Sequence, residues 1–258
     1  MNLDRIMAVS SSKTVYRDGE RCLKVFVRER NASAVLREAM NQTLLWEAGL
    51  PVPPVEEVTR INGHWAIVSR YIRGVTLARQ MEREPARVPE YLERLARLQR
   101  ELHTRSCPAL YRLRDGLAER RLPPGTPELC RRALREGAER MNREKRICHG
   151  DYVPDNVIET PEGELYLVDC ARSMAGDPAF DAAVTVCRLL LMEPAWSEAY
   201  LRLYGTEEAM RRRVEALLPA AASFLLPDSS EEARQRLIGR IEDQYRSEEA
   251  PGQPRISS

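Results

Sequence analysis

Two aspartates and one asparagine in the middle of the chain are spaced so that they could bind a divalent metal ion together. Residues 148–156 read CHGDYVPDN and residues 167–169 read LVD, which places Asp151, Asn156 and Asp169 at intervals of 5 and 13 residues. A hairpin between the two segments would return Asp169 to the side of Asn156. Converging oxygen ligands suit Mg²⁺, which binds one or two carboxylates together with substrate phosphates. Turn hydrogen bonds explain any one of these residues, but they do not explain the whole set.

A lysine within an apolar segment is the second informative feature. Lys24 lies in the segment 21–27, RCLKVFV, where alternation places it on one face with Cys22 and Phe26. A lysine is costly to bury unless it is paired. Glu38 is the predicted partner, because it falls on the apolar face of a predicted helix. The alternative is a lysine whose ammonium reaches solvent and a glutamate that is solvated.

The basic residues are strongly biased towards arginine. Of the 40 basic residues 37 are arginine, and the three lysines are Lys13, Lys24 and Lys145. Genomic base composition explains such a bias. Each lysine is nevertheless of interest, because an ammonium and a guanidinium are not interchangeable at a tight site.

Composition makes several classes of protein and site unlikely. The 258 residues are 43% apolar and carry a formal charge of +1, which gives no reason to expect a nucleic-acid or membrane partner. No apolar run approaches the roughly 18 residues of a membrane-spanning helix. The first residues lack an apolar signal region, which predicts a cytoplasmic protein. Six widely spaced cysteines and three histidines favour buried free thiols over a metal knuckle. The oligomeric state stays open.

Hairpin and helix signals predict an α+β fold with two lobes. Asp18-Gly19 and Asn62-Gly63 each interrupt an alternating segment, as two-residue hairpin turns do. The first lobe, residues 1–72, is predicted to hold a strand at 6–10, hairpins at 13–27 and 55–71, and a helix at 32–48. These elements predict a five-stranded antiparallel sheet backed by one helix.

The second lobe, residues 73–258, is predicted to be mainly helical. Its predicted helices are 89–104, 112–121, 128–144, 180–192, 197–203, 207–217 and 231–245, with short strands at 157–158 and 165–168. The last dozen residues are predicted to be mobile because they are rich in Ser, Pro and Glu. A cleft between the two lobes is the expected ligand site.

The order of these residues resembles the aminoglycoside phosphotransferase family of small-molecule kinases, which have a protein-kinase-like fold. The matching residues are Lys24, Glu38, His149-Gly150-Asp151, Asn156, Asp169, Gly176-Asp177-Pro178 and Asp181. The resemblance covers roughly residues 6–205, and its two-lobed fold agrees with the hairpin and helix signals.

The resemblance implies a role for each residue of the set. Lys24, oriented by Glu38, would hold the α- and β-phosphates of ATP or GTP. Asp151 would accept or orient the proton of the attacking hydroxyl. Asn156 and Asp169 would hold magnesium ions that bridge the phosphates.

Two further segments would contact the nucleotide, and His149 and Asp181 would brace the catalytic loop. Ser69 and Tyr71, in a hinge at 68–72, would offer backbone groups to the purine. Ser11 and Ser12 would lie in the loop that covers the phosphates. This loop has no glycine, which departs from the family pattern and puts its closure over phosphate in question.

Two features separate the chain from protein kinases. Gly150 stands where protein kinases have the arginine of His-Arg-Asp. Only six residues separate Asp169 from Gly176, too few for the segment that forms a peptide-binding platform. A peptide acceptor is therefore not expected.

The charge distribution leaves the acceptor open between an aminoglycoside, a sugar and an amino alcohol. Residues 79–146 carry a net charge of +7 from 18 basic and 11 acidic residues, and residues 176–258 carry −4 from 10 basic and 14 acidic residues. Asp177, Glu193 or Glu198 could line an acidic pocket for a polycation, but solvated helix faces explain the counts equally well.

A catalytically silent nucleotide-binding regulatory or scaffold module is the alternative function. The glycine-free loop motivates this alternative. The presence of every metal ligand and of the Lys24–Glu38 pair opposes it, because a module that transfers no phosphate has no physical need for all of them.

Overall fold

A five-stranded antiparallel sheet with one helix against it forms the first part of the fold. The computed structural model describes residues 5–10, 12–26 and 31–249. The elements of this part are β1 (Arg5–Val9), β2 (Lys13–Asp18), β3 (Arg21–Phe26), α1 (Ala32–Glu47), β4 (Val55–Ile61) and β5 (His64–Arg70). The strand order is β1-β2-β3-β5-β4. The five predicted strands and the helix after the third strand are therefore confirmed.

Turns and register decide which side chains share a face of this sheet. Gly19 and Gly63 adopt left-handed φ angles of 60° and 81° in the two predicted turns, a conformation that glycine adopts without strain. The β2–β3 pairing places Lys13 opposite Phe26 and Val15 opposite Lys24. Opposite and alternate residues share a face. Lys13 and Lys24 therefore lie on the same face of the sheet.

The two faces of the sheet bury different apolar clusters. One cluster consists of Leu23, Val25, Ala66 and Val68. The other consists of Phe26 and Ile67 with Val35 and Ala39 of α1. Because Lys24 alternates with Leu23 and Val25, its side chain lies on the face that α1 covers, as the sequence pattern predicts.

The remainder of the chain is mainly helical. Its elements are β6 (Val75–Thr76), α2 (Leu77–Arg83), α3 (Val88–Leu102), α4 (Leu113–Ala118), α5 (Glu128–Arg140), β7 (Arg146–Cys148), β8 (Val157–Glu159), β9 (Leu165–Leu167), β10 (Met174–Gly176), α6 (Pro178–Met192), α7 (Pro194–Tyr204), α8 (Glu208–Leu225) and α9 (Glu231–Glu249). Among the described residues, no helix has both the length and the apolar stretch that a membrane crossing requires.

One apolar core extends from the first part of the fold into the last helix. It includes Leu45 of α1 and Tyr245 of α9, both buried. Since this core spans the predicted lobe boundary, the division at residue 72 stays a prediction.

Several short elements differ from the sequence expectation. Strands β6, β7 and β10 have only two or three residues each, which is too few to produce an alternation signal. Helix α5 ends at Arg140 rather than at the predicted residue 144. The backbone N–H of Asn142 donates to the Asp177 carboxylate at 2.9 Å, which draws the chain away from the helix axis.

Helix α8 extends beyond its predicted end and contains a proline. The sequence predicts an end at residue 217, but the helix includes Pro219 and ends at Leu225. Most residues from 217 to 226 are buried against neighbouring helices. Their burial outweighs the local cost of an interior proline, about 3 kcal/mol.

The carbonyl group that Pro219 leaves without its helical partner is satisfied from another helix. Proline has no N–H to donate to the carbonyl oxygen of Glu215, four residues earlier. The side-chain amide of Gln244, on α9, donates to that oxygen at 3.1 Å. This hydrogen bond ties α9 to the irregular point of α8.

We expect Gln244→Leu to lower the free energy of unfolding by about 1 kcal/mol, because it leaves the Glu215 carbonyl unsatisfied. Urea denaturation measures the change. In a Pro219→Ala background the restored N–H of residue 219 can donate to Glu215, so the same substitution should have a smaller effect. An equal effect in both backgrounds would contradict this account.

Candidate active site

A short hairpin brings two of the predicted metal ligands together. Strands β8 and β9 pair with Val157 opposite Leu167, and the Asn156 carbonyl accepts the N–H of Val168 at 3.0 Å. Asp169 therefore returns beside Asn156. Both residues line an open cavity of about 360 Å³, and Asp151 lines it with them.

Two lysines hold the carboxylate of Asp169. The Lys24 ammonium donates to Oδ1 at 3.0 Å, and the Lys13 ammonium donates to Oδ2 at 2.6 Å. Burial alone raises the pKa of Asp169, but the charges of Lys24 and Lys13 outweigh it and hold the pKa well below its usual range. The carboxylate is thus ionised and available as a metal ligand.

The backbone of Asp169 is strained. Its φ and ψ of 64° and 55° are left-handed, which costs a residue with a side chain about 1–2 kcal/mol. The two ammonium contacts help to hold this conformation, and strain of this kind is common at functional sites.

Lys24 joins three separate elements through one buried ammonium. It contacts Glu38 Oε1 on α1 at 2.6 Å as well as Asp169, and the Glu38 side chain is only 2% exposed. Burial lowers the pKa of Lys24, but Asp169 and Glu38 raise it by more, so the net pKa is above the ordinary value. The expected contact between Lys24 and Glu38 is therefore present.

The carboxylate of Asp181, on α6, fixes the loop that carries Asp151. It accepts the backbone N–H of Gly150 at 2.7 Å and that of His149 at 3.1 Å. The side chains of Gln99 and His103 complete its shell at 2.9 and 3.0 Å. Asp181 is 1% exposed. This carboxylate braces the loop, as the family resemblance implies.

His149 links the same loop to the metal-ligand segment. Its Nε2 lies 3.2 Å from the carbonyl oxygen of Val168, the residue before Asp169. The ring of His149 also packs edge-on against Tyr152. The catalytic loop and Asp169 are thereby held in a fixed relation.

Gly150 adopts a conformation that excludes the arginine of protein kinases. Its φ is +76°, and a Cβ at this position would lie 2.4 Å from the backbone oxygen of Arg172. A Cβ atom cannot lie this close to an oxygen atom, so the backbone of one of the two segments would have to move. Glycine is therefore required by close packing against the segment after Asp169.

Asp151 carries an ion pair that the sequence did not indicate. Its Oδ1 lies 3.0 Å from Arg188 Nε, and the two side chains are 24% and 20% exposed. Arg188 is on α6, seven residues after Asp181, so the two residues share a helix face. The spacing of seven residues from Asp181 could have identified Arg188 among the 37 arginines of the sequence.

The orientation of Asn156 suits a metal ligand. Its Nδ2 donates to the backbone oxygen of Asp151 at 2.9 Å, which leaves its side-chain oxygen available for a cation. With Asp169 it forms the all-oxygen donor set that Mg²⁺ requires.

Cys170, which directly follows Asp169, is fully buried. Burial raises the pKa of its thiol to about 12, so the thiol remains protonated.

A second cluster of metal-ligand types is structural. Among the described residues, His103, Cys148 and Asp181 offer atoms within 4.8 Å of one another. Both ring nitrogens of His103 have protein partners, the Tyr204 hydroxyl at 2.7 Å and Asp181. Burial also raises the pKa of the Cys148 thiol well above its ordinary value. The three residues form part of the hydrogen-bonded core.

Ser12, one of the two serines predicted to contact the nucleotide, lies between β1 and β2. The Ser12 amide donates to Ser10 Oγ at 3.4 Å. Ser11 lies outside the described residues. Lys13, which the resemblance places at the end of the phosphate-covering loop but to which the sequence assigns no contact, reaches Asp169.

The predicted hinge residues are engaged in the sheet and its end. Ser69 is paired between Cys22 and Val55 and is buried. The Tyr71 N–H donates to the Glu20 carbonyl at 2.7 Å. The roles of Ser69 and Tyr71 in purine binding stay predictions.

Similar solved structures have the same fold. A choline/ethanolamine kinase family protein from Mesorhizobium loti is 20% identical, with a TM-score of 0.65 over 96% of this chain and 88% of that chain. A thermostable mutant of aminoglycoside phosphotransferase APH(4)-Ia, in ternary complex with ADP and hygromycin B, is 17% identical, with a TM-score of 0.71 over 95% and 94%. Choline kinase LicA from Streptococcus pneumoniae is 17% identical, with a TM-score of 0.64 over 93% and 91%.

A family model covers most of the chain. The model of the phosphotransferase enzyme family matches residues 6–217, a range that holds every residue of the site described above. The chain therefore belongs to the phosphotransferase enzyme family and is a small-molecule kinase with a protein-kinase-like fold.

Proposed function

We propose that this kinase transfers the γ-phosphate of ATP or GTP to a hydroxyl group of a small molecule in a magnesium-dependent reaction. The convergence of Asp151, Asn156 and Asp169 on one cavity, with Lys24 bound to Asp169, carries the proposal. The ADP complex of the aminoglycoside phosphotransferase neighbour supports a nucleotide donor.

Binding of the nucleotide, the phosphate donor, depends on neutralisation of the negative charge of its phosphates. Lys24, held by Glu38, contacts the α- and β-phosphates. Asn156 and Asp169 would hold Mg²⁺, which would supply positive charge close to the phosphate oxygens. The buried positions of Lys24 and Glu38 favour this assignment, because charges act more strongly in a water-poor site.

On the acceptor side, Asp151 orients the hydroxyl group and accepts its proton. The loop that carries Asp151 is rigid, since Asp181 binds two of its amides. Arg188 forms an ion pair with the carboxylate of Asp151 and so limits the orientations that this carboxylate adopts. Positioning of this kind supplies much of the rate enhancement in phosphoryl transfer.

The lining of the cavity leaves the acceptor open between an aminoglycoside, a sugar and an amino alcohol. Beside Asp151, Asn156 and Asp169, it contains one further carboxylate, one arginine and three apolar side chains: Asp155, Arg188, Val153, Leu191 and Met192. The three acidic residues that could have formed a pocket for a polycation have other structural contacts. Asp177 is buried and paired with Arg213, Glu193 caps α7, and Glu198 lies within 3.9 Å of Arg202 on the exposed face of that helix.

A catalytically silent nucleotide-binding module remains the second candidate. The glycine-free turn favours it, since the Ser12 amide bonds within the turn rather than being free for phosphate. Phosphate transfer to any acceptor would exclude it. A cytoplasmic location and the absence of nucleic-acid and membrane partners stay predictions.

We expect Asp151→Asn to lower kcat by about 10²–10⁴-fold, because it removes the proton acceptor. Release of nucleoside diphosphate is measured with MgATP or MgGTP and a panel of aminoglycosides, sugars and amino alcohols. Asp243→Asn, an exposed change on α9, serves as the matched control. Undiminished turnover in the Asp151 variant would refute the assigned base. Absence of nucleoside diphosphate release with every acceptor of the panel, together with ATP binding that needs no magnesium, would favour the silent module.

We expect Arg188→Gln to lower kcat roughly tenfold, the equivalent of 1.4 kcal/mol, while MgATP affinity changes little. The reason is that Asp151 loses its orienting partner, whereas the phosphate contacts are untouched. Arg188→Lys should retain part of the activity, and Arg202→Gln on the exposed face of α7 is the control. Thermal unfolding tests whether each variant is folded. An unchanged kcat in a folded Arg188→Gln protein would contradict the orienting role.

A further inference from the structure

We propose that Lys13 is a second phosphate-binding lysine, which holds Asp169 in the absence of nucleotide and contacts the terminal phosphates of the bound nucleotide. This inference rests on the proposed nucleotide site and extends it. In this proposal the Lys13 side chain contacts the phosphates, as a glycine-rich loop does in the family pattern.

The position of Lys13 follows from the register of the sheet. Lys13 begins β2 opposite Phe26, and Lys24 lies two residues along β3 from Phe26. The two lysines are therefore neighbours on one face, and their ammonium groups bind different oxygens of the same carboxylate, at 2.6 and 3.0 Å. A phosphate that contacts Lys24 is thus within reach of a neighbouring ammonium.

The described residues of the serine turn before Lys13 offer few free hydrogen-bond donors to a phosphate group. Ser10 Oγ accepts the amide of Lys13 at 3.2 Å and that of Ser12 at 3.4 Å. The amide and hydroxyl of Ser10 both donate to the Lys13 carbonyl, at 2.9 and 3.2 Å. In the described part of this turn, at residues 10, 12 and 13, all three amides are therefore used internally. The same bonds fix the backbone of Lys13.

Charge balance gives Lys13 a different role from Lys24. Lys24 contacts both Glu38 and Asp169, whereas Lys13 forms an ion pair with Asp169 alone among the residues that the structure describes. The Lys13 side chain is 23% exposed, more than the 16% of Lys24. When Asp169 serves as a metal ligand, Lys13 can exchange this one partner for a phosphate oxygen and Lys24 retains Glu38. Both ammonium groups then face the phosphates of the nucleotide, which carry several negative charges.

The three lysines of the chain provide a matched set of variants. Lys13→Met removes the proposed contact, Lys24→Met removes the lysine of the proposed site, and Lys145→Met makes the same chemical change at an exposed position far along the chain. Dissociation constants for MgATP, ADP, AMP and adenosine, and for the corresponding guanine compounds, are measured by titration calorimetry, without any acceptor. Circular dichroism and thermal unfolding establish that each variant is folded.

We expect Lys13→Met to weaken MgATP binding roughly tenfold or more, as loss of a charge-assisted contact does. Binding of AMP and adenosine should be unchanged, because the contact is to the terminal phosphates. Lys13→Arg should recover part of the MgATP affinity, and Lys145→Met should bind like the wild-type protein.

Four results would overturn the inference, and they can be told apart. Tighter MgATP binding by Lys13→Met would mean that Lys13 only competes with the metal for Asp169. Equal losses for MgATP and adenosine would mean that Lys13 has a general structural role. If the wild-type protein binds none of these nucleotides, the proposed function fails and this inference fails with it. If Lys24→Met loses affinity and Lys13→Met does not, only the role of Lys13 is refuted.

Discussion

The buried carboxylate of Asp181 is the interaction on which the order of the active site depends. Two backbone amides of the catalytic loop and two core side chains donate to it. A buried carboxylate needs such donors, because an ionised group without partners is very costly in the protein interior. Gln99 and His103 hold Asp181, while Asp181 holds His149 and Gly150. The helical core and the reactive residue are thereby parts of one hydrogen-bonded network.

Further contacts connect the loop that Asp181 holds to the residues proposed to bind the nucleotide. His149 reaches the carbonyl of Val168, and Asp169 follows at once in a left-handed conformation. Lys24 then ties Asp169 to the sheet and, through Glu38, to α1. A disturbance of the core is expected to reach the proposed metal ligands through this sequence of contacts, so a residue far from the cavity can still affect them.

The fold was largely predictable where local signals are strong. The turns at Asp18-Gly19 and Asn62-Gly63 specify hairpins from two residues each, and long helices such as α3 show their apolar spacing plainly. Strands of two or three residues have no such signal, because they depend on partners distant in sequence. Helix α8 shows the same limit, since burial of its last turns overrides Pro219.

The site was predictable only in part, for a similar reason. The set of Asp151, Asn156 and Asp169 could be recognised because the three lie within one short stretch, where a hairpin closes the distance between them. Arg188 and Lys13 reach the site from other elements, and only the packing of α6 and the register of β2 bring them there. Residue type alone could not distinguish Arg188 in a chain with so many arginines.

The burial of Cys170 has a consequence for the choice of metal. A thiol next to an aspartate that is proposed to bind a metal ion would, if it were exposed, offer a ligand for soft cations such as zinc or cadmium. Cys170 is fully buried, and burial raises the pKa of its thiol to about 12. The proposed site of Asn156 and Asp169 thus presents oxygen donors, which favour a hard ion.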